Sequence, residues 1–214
     1  MNDKFAKLDD SKQRQIINAA YREFTSETYK KASTNRIVEE AGIGKGMLFY
    51  YFKSKQKLFL YLVERSLAAA IRYIEEIDWD IPDVISRYEQ ASRKKLEAFL
   101  EDPESFYFLG SILLNDLDSL PEEQRQQILH MQQQTKERMF SGIDYSLFRS
   151  DVDPETALKL ILWSINGYEQ DLMARLKGET FQHINMTSYW DEFHHYLQTL
   201  RTVYYKGDEC DGNG

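Results

Sequence analysis

Cysteine is almost missing from this chain: the single thiol, Cys210, lies in a polar stretch, so no disulfide can form within the chain and nothing implies an oxidising compartment. Long apolar runs are missing too. No stretch approaches the roughly 18 consecutive apolar residues of a membrane span, and the opening MNDKFAKLDD lacks the apolar centre of a signal peptide. The expectation is a soluble, cytoplasmic protein with no membrane partner. There is no phosphate-binding glycine loop, no Cys/His cluster and no setting for a nucleophile, so neither an enzyme, a metal nor a cofactor is expected. The adjacent His194 and His195 stand about 100° apart on a helix, poorly placed to share a metal. Glu192-Phe193-His194-His195 contains the Glu-x-x-His spacing of di-iron bundles, but the second copy such a site needs is absent. Alternating apolar residues between hairpin-turn dipeptides are likewise not found, and the class expected is all-α.

What is present is helical periodicity over 214 residues, enough for two cores. The net charge of −8 hides an asymmetry. Up to Lys57 there are twelve Lys/Arg against seven Asp/Glu, a surplus of +5 that leaves −13 for the remainder. A basic head on an acidic body is what one domain meeting phosphate would produce, although two self-solvating surfaces would look the same. All four prolines fall in the acidic part and mark helix starts. Asp102-Pro103-Glu104 and Asp153-Pro154-Glu155 are the clearest, with Asp as cap and Glu near the positive end of the helix dipole. These marks predict about nine helices, near 9–27, 34–41, 45–51, 55–77, 82–100, 104–117, 121–147, 154–177 and 187–206. The division expected is a helix-turn-helix head at 1–54, a larger helical body at 55–206 and a disordered tail at 207–214.

Within the head, Ile16, Ala20 and Phe24 form one apolar stripe on the first helix. Ser33 is placed to cap the second helix and leaves Thr34 and its first-turn N–H groups facing outward, a good phosphate clamp. Ile37, Val38 and Ala41 face inward, and Gly42 permits the tight turn of a helix-turn-helix. On the third helix Leu48 and Phe52 share one side. The other side shows Gly46, Met47 and Tyr50, with Lys45 and Phe49 on one flank and Tyr51 on the other. Aromatics at helical spacing are usually core residues. Phe49, Tyr50, Tyr51 and Phe52 are consecutive, however, so they encircle the helix and cannot all face one core. Such a face suits a major groove: Gly46 permits close approach, Lys45 supplies charge, and Tyr50 and Tyr51 reach phosphate oxygens.

From Ile16 to Leu58 the chain resembles the N-terminal domain of the tetracycline-repressor (TetR) family of one-component regulators. The residues that carry the resemblance are Ile16, Ala19-Ala20, Phe24, Tyr29, Ser33, Ile37, Ala41-Gly42-Ile43, Lys45-Gly46, Leu48, Tyr51-Phe52, Ser54-Lys55 and Leu58. The acidic remainder matches in length and helix count alone. The resemblance implies a homodimer that binds double-stranded operator DNA and releases it when a small molecule enters the body. Residue by residue it implies DNA contacts from Thr34, Lys45, Gly46, Met47, Tyr50, Tyr51 and Lys55, with Lys55 paired to a phosphate. Three positions depart from the family pattern: Thr28 for a common Gly, Gly44 for a common Ser or Thr, and Phe49 for a frequent Tyr.

For the body, the same reading places a four-helix dimer interface on the last two long helices, with Leu162 and Ile165 on one and Phe193, Tyr196, Leu200 and Tyr204 on the other. Part of each stripe is expected to face its own subunit's core. An effector cavity is sought among Phe106, Phe108, Met139, Phe140, Trp163 and Tyr168, with Asn166 as a polar anchor. Aromatics with surplus carboxylates suit a cationic lipophilic ligand, and the apolar residues suit a fatty or acyl one equally. Two other readings stand beside the regulator: a helical interaction module that has lost DNA binding, and a metal-dependent helical-bundle enzyme.

Overall fold

The computed structural model describes residues 4–176 and 186–207. The body-tail division at 207 therefore lies, from residue 208 onward, outside the described residues, as do Cys210 and His183. Among the described residues the regular structure is helical, in nine α-helices, with an isolated antiparallel bridge between Phe148 and Tyr205. The chain is all-α, with a helix-turn-helix at its N-terminal end and a helical remainder.

Capping chemistry sets most of the helix starts. α1 (Asp10–Ser26) begins where the Asp9 carboxylate accepts the Lys12 N–H at 3.3 Å, and α2 (Thr34–Glu40) where Ser33 Oγ accepts the Asn35 N–H at 3.3 Å. α3 (Lys45–Phe52) starts at Gly44 with no side-chain cap, and α4 (Lys55–Glu75) follows, its first turn held by Ser54 Oγ accepting from the Lys57 N–H at 3.1 Å. α5 (Val84–Glu101) is preceded by Asp83, whose carboxylate accepts the Ile85 N–H. α6 (Pro103–Ser111) and α8 (Pro154–Leu176) each carry the expected Asp cap and leading proline. α7 (Glu122–Phe140) and α9 (Met186–Tyr204) complete the set.

Two helix ends differ from the sequence expectation. The sixth helix does not run on as α-helix to 117: it widens into a π-helical turn, Ile112–Asp116, and then tightens into a 3-10 turn, Leu117–Ser119. The seventh stops at Phe140 and not near 147, because Gly142 takes a left-handed φ of 63° that ends an α-helix. Its last carbonyls are taken by Arg87. This side chain, 1% exposed, donates to the carbonyls of Arg138 at 2.9 Å, Met139 at 3.1 Å and Ser141 at 2.6 Å, and also to that of Ile81. A cation at a helix C-terminus is favoured by the dipole and by the orphan carbonyls there.

The described chain forms two compact units. The first joins residues 1–75 to 97–134, and the second joins 76–96 to 135–214. In the first, α1 presents Ile16, Ala20 and Phe24 together with Tyr21, all fully buried. α1, α4 and α6 pack together through Phe24, Phe59 and Phe108, whose ring centroids lie 5.1 to 6.3 Å apart. Beside this aromatic core three hydroxyls close a ring: Tyr21 donates to Ser105 (3.4 Å), Ser105 to Ser66 (2.9 Å) and Ser66 to Tyr21 (3.1 Å). Burial pushes the Tyr21 phenol above its ordinary pKa, so it remains a donor. The second unit is built on Val84, Ile85, Ile161, Ile165 and Leu197, with the Asp83 carboxylate held by Arg201 at 2.6 Å and by the Tyr205 hydroxyl at 2.7 Å.

The hydroxyl ring predicts a non-additive stability series. Tyr21→Phe is expected to cost about 1 kcal/mol by leaving a serine short of a partner, while the triple variant Tyr21→Phe, Ser66→Ala, Ser105→Ala recovers part of that loss, since no orphan remains. Urea unfolding of the parent, the single variants and the triple reads this; a triple loss equal to the sum of the singles would show that the three hydroxyls act independently.

Candidate nucleic-acid interface

The turn that sets α3 against α2 comes from Gly42. Its φ of 56° is the left-handed conformation that glycine adopts without strain, and it lets the Ile43 N–H reach back to the Val38 carbonyl at 3.0 Å. Ile37 and Ala41 are fully buried, as the pattern predicts, and Val38 packs partly buried against the same core.

On α3, Leu48 and Phe52 are buried and the opposite side is open. Lys45 and Gly46 are exposed, Met47 is 41% exposed and Tyr50 46%. A Cβ built at Gly46 meets nothing within 4 Å, so the protein itself does not require glycine there. Tyr51, on the flank, is half-buried, with its ring edge-on to Phe5 at 5.5 Å and to Tyr50 at 5.3 Å. Thr34 is half-buried at the first position of α2.

The connection between α1 and α2, residues 27–33, is held by charge. Glu23, 7% exposed, accepts the Ser33 N–H at 2.6 Å and takes the Arg36 guanidinium on both oxygens at 2.6 to 3.0 Å. Burial pushes the Glu23 carboxyl up, but the Arg36 guanidinium, the Ser33 N–H and the nearby Lys55 outweigh it and hold the pKa below the ordinary glutamate value. Asp116, 7% exposed at the end of the π-helical turn, accepts the Tyr29 N–H at 2.9 Å. Lys55, which the resemblance assigns to a phosphate, donates to the carbonyls of Ala32 at 2.8 Å and Lys30 at 3.3 Å, and lies 4.9 Å over the Tyr29 ring. Its three donors leave one for a phosphate. Sequence reasoning missed Glu23 and Asp116; an acidic residue inside an otherwise apolar stripe was the available signal for Glu23.

Also missed was the segment before α1. Phe5 is 1% exposed and sits among Phe52 (4.8 Å), Tyr51 (5.5 Å) and Tyr61 (6.0 Å). A turn from the Leu8 N–H to the Phe5 carbonyl (3.1 Å) and a bond from the Gln13 amide to the Leu8 carbonyl (2.8 Å) fix the segment to α1.

Residues 16–62 match the family described as bacterial regulatory proteins, tetR family. Residues 16–62 thus carry a similarity to the TetR family. Over 65 residues the chain is 37% identical to a curated HTH-type transcriptional regulator of Staphylococcus aureus (strain USA300), a match that covers 30% of this chain and 35% of that protein. The chain thus spans about a third of the length of the curated relatives it matches. Similar solved structures include a TetR family transcriptional regulator from Chloroflexus aurantiacus J-10-FL, with a TM-score of 0.61 at 20% identity over 96% of this chain and 98% of that one. The TetR family regulator PfmR from Thermus thermophilus gives 0.60 at 17% identity, over 90% and 97% of the two chains. The fatty acid degradation regulator FadR from Bacillus halodurans gives 0.52 at 15%, over 95% and 99%. At these identities the likeness is one of fold, and it extends the TetR architecture beyond the N-terminal domain.

The residues expected in an effector cavity divide between the units. Phe108 is fully buried against Tyr21, Phe24 and Phe59 in the first unit, and Phe106 lies beside Tyr73 and Phe99 there. Met139 is buried in the second unit, where Phe140 meets Tyr88 and Tyr168 stacks on Tyr196 and lies tilted against Phe193. Trp163 is 67% exposed, because α8 turns Ala157, Ile161 and Ile165 inward and a residue two places after Ile161 points about 200° away, and Asn166 is exposed as well. Of the expected dimer residues, Ile165, Phe193 and Leu200 lie in the second unit's own core, while Leu162, Tyr196 and Tyr204 are half-buried. Leu160, Trp163 and Val203 are the exposed large apolar residues of α8 and α9 among those described. Among the described residues no group of three or more His, Cys, Asp or Glu is placed to hold a metal, and no helix is long and apolar enough to cross a membrane. His194 stacks on Trp190, its Nδ1 3.6 Å from Glu89.

The Glu23 site yields a pH prediction. A carboxyl held below its unfolded pKa of about 4.3 stabilises the fold above that value, and the contribution disappears as pH falls through the lower folded pKa. Glu23→Gln is therefore expected to lose about 1 to 2 kcal/mol near pH 7, a figure reduced by the exposure of Arg36, and the gap to the parent protein should narrow steadily as pH falls below about 4.3. Thermal melts across that range test it; a gap independent of pH would assign the loss to packing alone.

Proposed function

We propose that this protein is a ligand-responsive transcriptional regulator that binds a palindromic operator as a homodimer and, as a repressor, leaves it when a small molecule binds. The observation that carries the reading is the open side of α3 on a TetR-family domain, where Lys45, Gly46, Met47 and Tyr50 are displayed while Leu48 and Phe52 hold the helix from behind. An α-helix fits the major groove of B-DNA. In this reading Lys45, Tyr50, Tyr51 and the N–H groups around Thr34 address phosphates, with the remaining donor of Lys55 adding one more. Met47 and Tyr50 meet base edges.

A palindrome requires two copies, whose recognition helices would stand about 34 to 36 Å apart to enter successive grooves. The exposed Leu160 and Trp163 on α8 and Val203 on α9, with half-buried Leu162, Tyr196 and Tyr204, supply the apolar surface for that dimer. Trp163 thus moves from the cavity to the interface. The effector would enter the helical body near Met139, Phe140 and Tyr168. Release requires that it bind the DNA-incompetent arrangement better, since equal affinity shifts nothing. Asp116 offers a route to α2: displacing the π-helical end of α6 would withdraw its carboxylate from the Tyr29 N–H.

Selection from random duplex DNA is the test, repeated with Lys45 and Tyr50 both changed to Ala. A palindrome enriched by the parent protein alone supports the reading; no enrichment by either favours an interaction module instead. Gly46→Ala sharpens the test. With open space at its Cβ it should keep or raise helix stability, by up to about 1 kcal/mol, yet weaken operator binding if the DNA approaches that backbone. Equal binding by parent and variant would place the groove elsewhere.

A further inference from the structure

We propose that the segment before α1 is part of the DNA-contacting surface: Phe5 pins it to the recognition helix so that Lys4 joins Tyr50 and Lys53 in one phosphate-binding cluster. The proposal rests on the DNA-binding reading of α3 and extends it to residues outside the helix-turn-helix. Lys4 Nζ lies 4.7 Å from the centroid of the Tyr50 ring, and Lys53 Nζ lies 5.6 Å from the same centroid. The two ammonium groups therefore stand within about 10 Å of each other, one Debye length at 0.1 M salt, and an anion that meets both is attracted by both.

The ring between them is not a core residue. Tyr50 is 46% exposed on the side of α3 that faces away from Leu48 and Phe52. Lys53 follows directly after α3, in a left-handed conformation with φ of 66° that ends the helix. Lys45 marks the other end of the same eight-residue helix. A helix in the major groove is flanked by both sugar-phosphate backbones. Lys45 and the Lys4–Tyr50–Lys53 cluster put positive charge at both of its ends.

Phe5 makes Lys4 more than a lysine on a loose terminus. An exposed lysine on an unpinned chain would give up backbone and side-chain entropy on binding. Here the neighbouring residue is buried among Tyr51, Phe52 and Tyr61, and the turn to Leu8 and the Gln13 bond fix the backbone that follows. The aromatic side chains around Phe5 come from the C-terminal half of α3 and from α4. The segment is thus ordered by the element whose ligand it would share, and binding costs less ordering.

The test is the salt dependence of binding to a mixed-sequence linear duplex, measured with the full-length protein. Each lost phosphate contact lowers the slope of log K against log salt by about 0.9. Lys4→Gln is expected to show that loss. Phe5→Ser should show the same loss, and the double variant no more than either single change, because without the anchor Lys4 is no longer placed. Phe5→Leu, which keeps an apolar anchor, should restore the parent slope and controls for a Phe5→Ser protein that folds poorly. Lys159→Gln on α8 should leave the slope unchanged. Lys45→Ala separates the two ideas. A reduced slope for Lys45→Ala with an unchanged one for Lys4→Gln overturns the arm proposal and leaves the DNA reading standing. No change for either overturns both. An equal loss for Lys159→Gln would reduce the effect to net charge and overturn the arm proposal as well.

Discussion

The backbone between residues 27 and 33 belongs to no helix, yet it decides where α2, and through Gly42 α3, can lie. Its polar groups must find partners, and local turns satisfy only some of them, as where the N–H groups of Lys31 and Ala32 share the Thr28 carbonyl. Charged side chains from three other places take up further groups. Glu23 of α1 accepts the Ser33 N–H, Asp116 beyond α6 accepts the Tyr29 N–H, and Lys55 of α4 donates to the carbonyls of Lys30 and Ala32. A buried backbone group left without a partner costs about 1 to 3 kcal/mol, so these part-buried contacts hold the connection together with the packing of Tyr29 on Phe24 and Phe59. Because the three partners stand on different elements, the placement of α2 reports the positions of α1, α4 and the end of α6 together.

The same constraint explains why the first compact unit does not stop at the end of the helix-turn-helix. α6 shares the hydroxyl ring and the aromatic core with α1 and α4, and Arg22 of α1 is bound by Glu40 of α2 and, at 2.9 Å, by Glu104 of α6. Periodicity and capping made the helices legible. Asp-Pro pairs gave the starts of α6 and α8, Ser33 that of α2, and the single apolar stripes of α1 and α3 told their inner from their outer sides. Beyond that point the sequence is ambiguous for physical reasons. A lysine at the start of a helix reads the same whether its ammonium faces phosphate or two carbonyls, and Lys55 does at least the second. Phe5 lies outside any periodic segment, so no pattern announces that it is core. α8 is apolar over so wide an arc, from Leu158 through Ile165, that spacing does not separate buried Ile161 from exposed Trp163. The π-helical turn that aims Asp116 has no composition signal of its own.

The charge asymmetry of the sequence takes on a narrower meaning in the structure. A surplus of +5 up to Lys57 suggests a broadly positive head, but several of its cations are occupied inside the protein. Arg36 is committed to Glu23, Arg22 to Glu40 and Glu104, and Lys55 to two carbonyls. Lys45 and Lys53 are exposed at the two ends of α3 and Lys57 in the first turn of α4, as are Lys4, Lys7, Arg14, Lys30 and Lys31 elsewhere in the head. Gly44 contributes no capping hydroxyl and Phe49 no phenol, so α3 itself has fewer polar groups to offer a phosphate. Under the proposed reading, base contacts from Met47 would then carry a larger share of recognition, and contacts of that kind distinguish one sequence from another. Under the same reading, the remainder of the chain, at −13, would repel a phosphate backbone and leave its approach to the basic head.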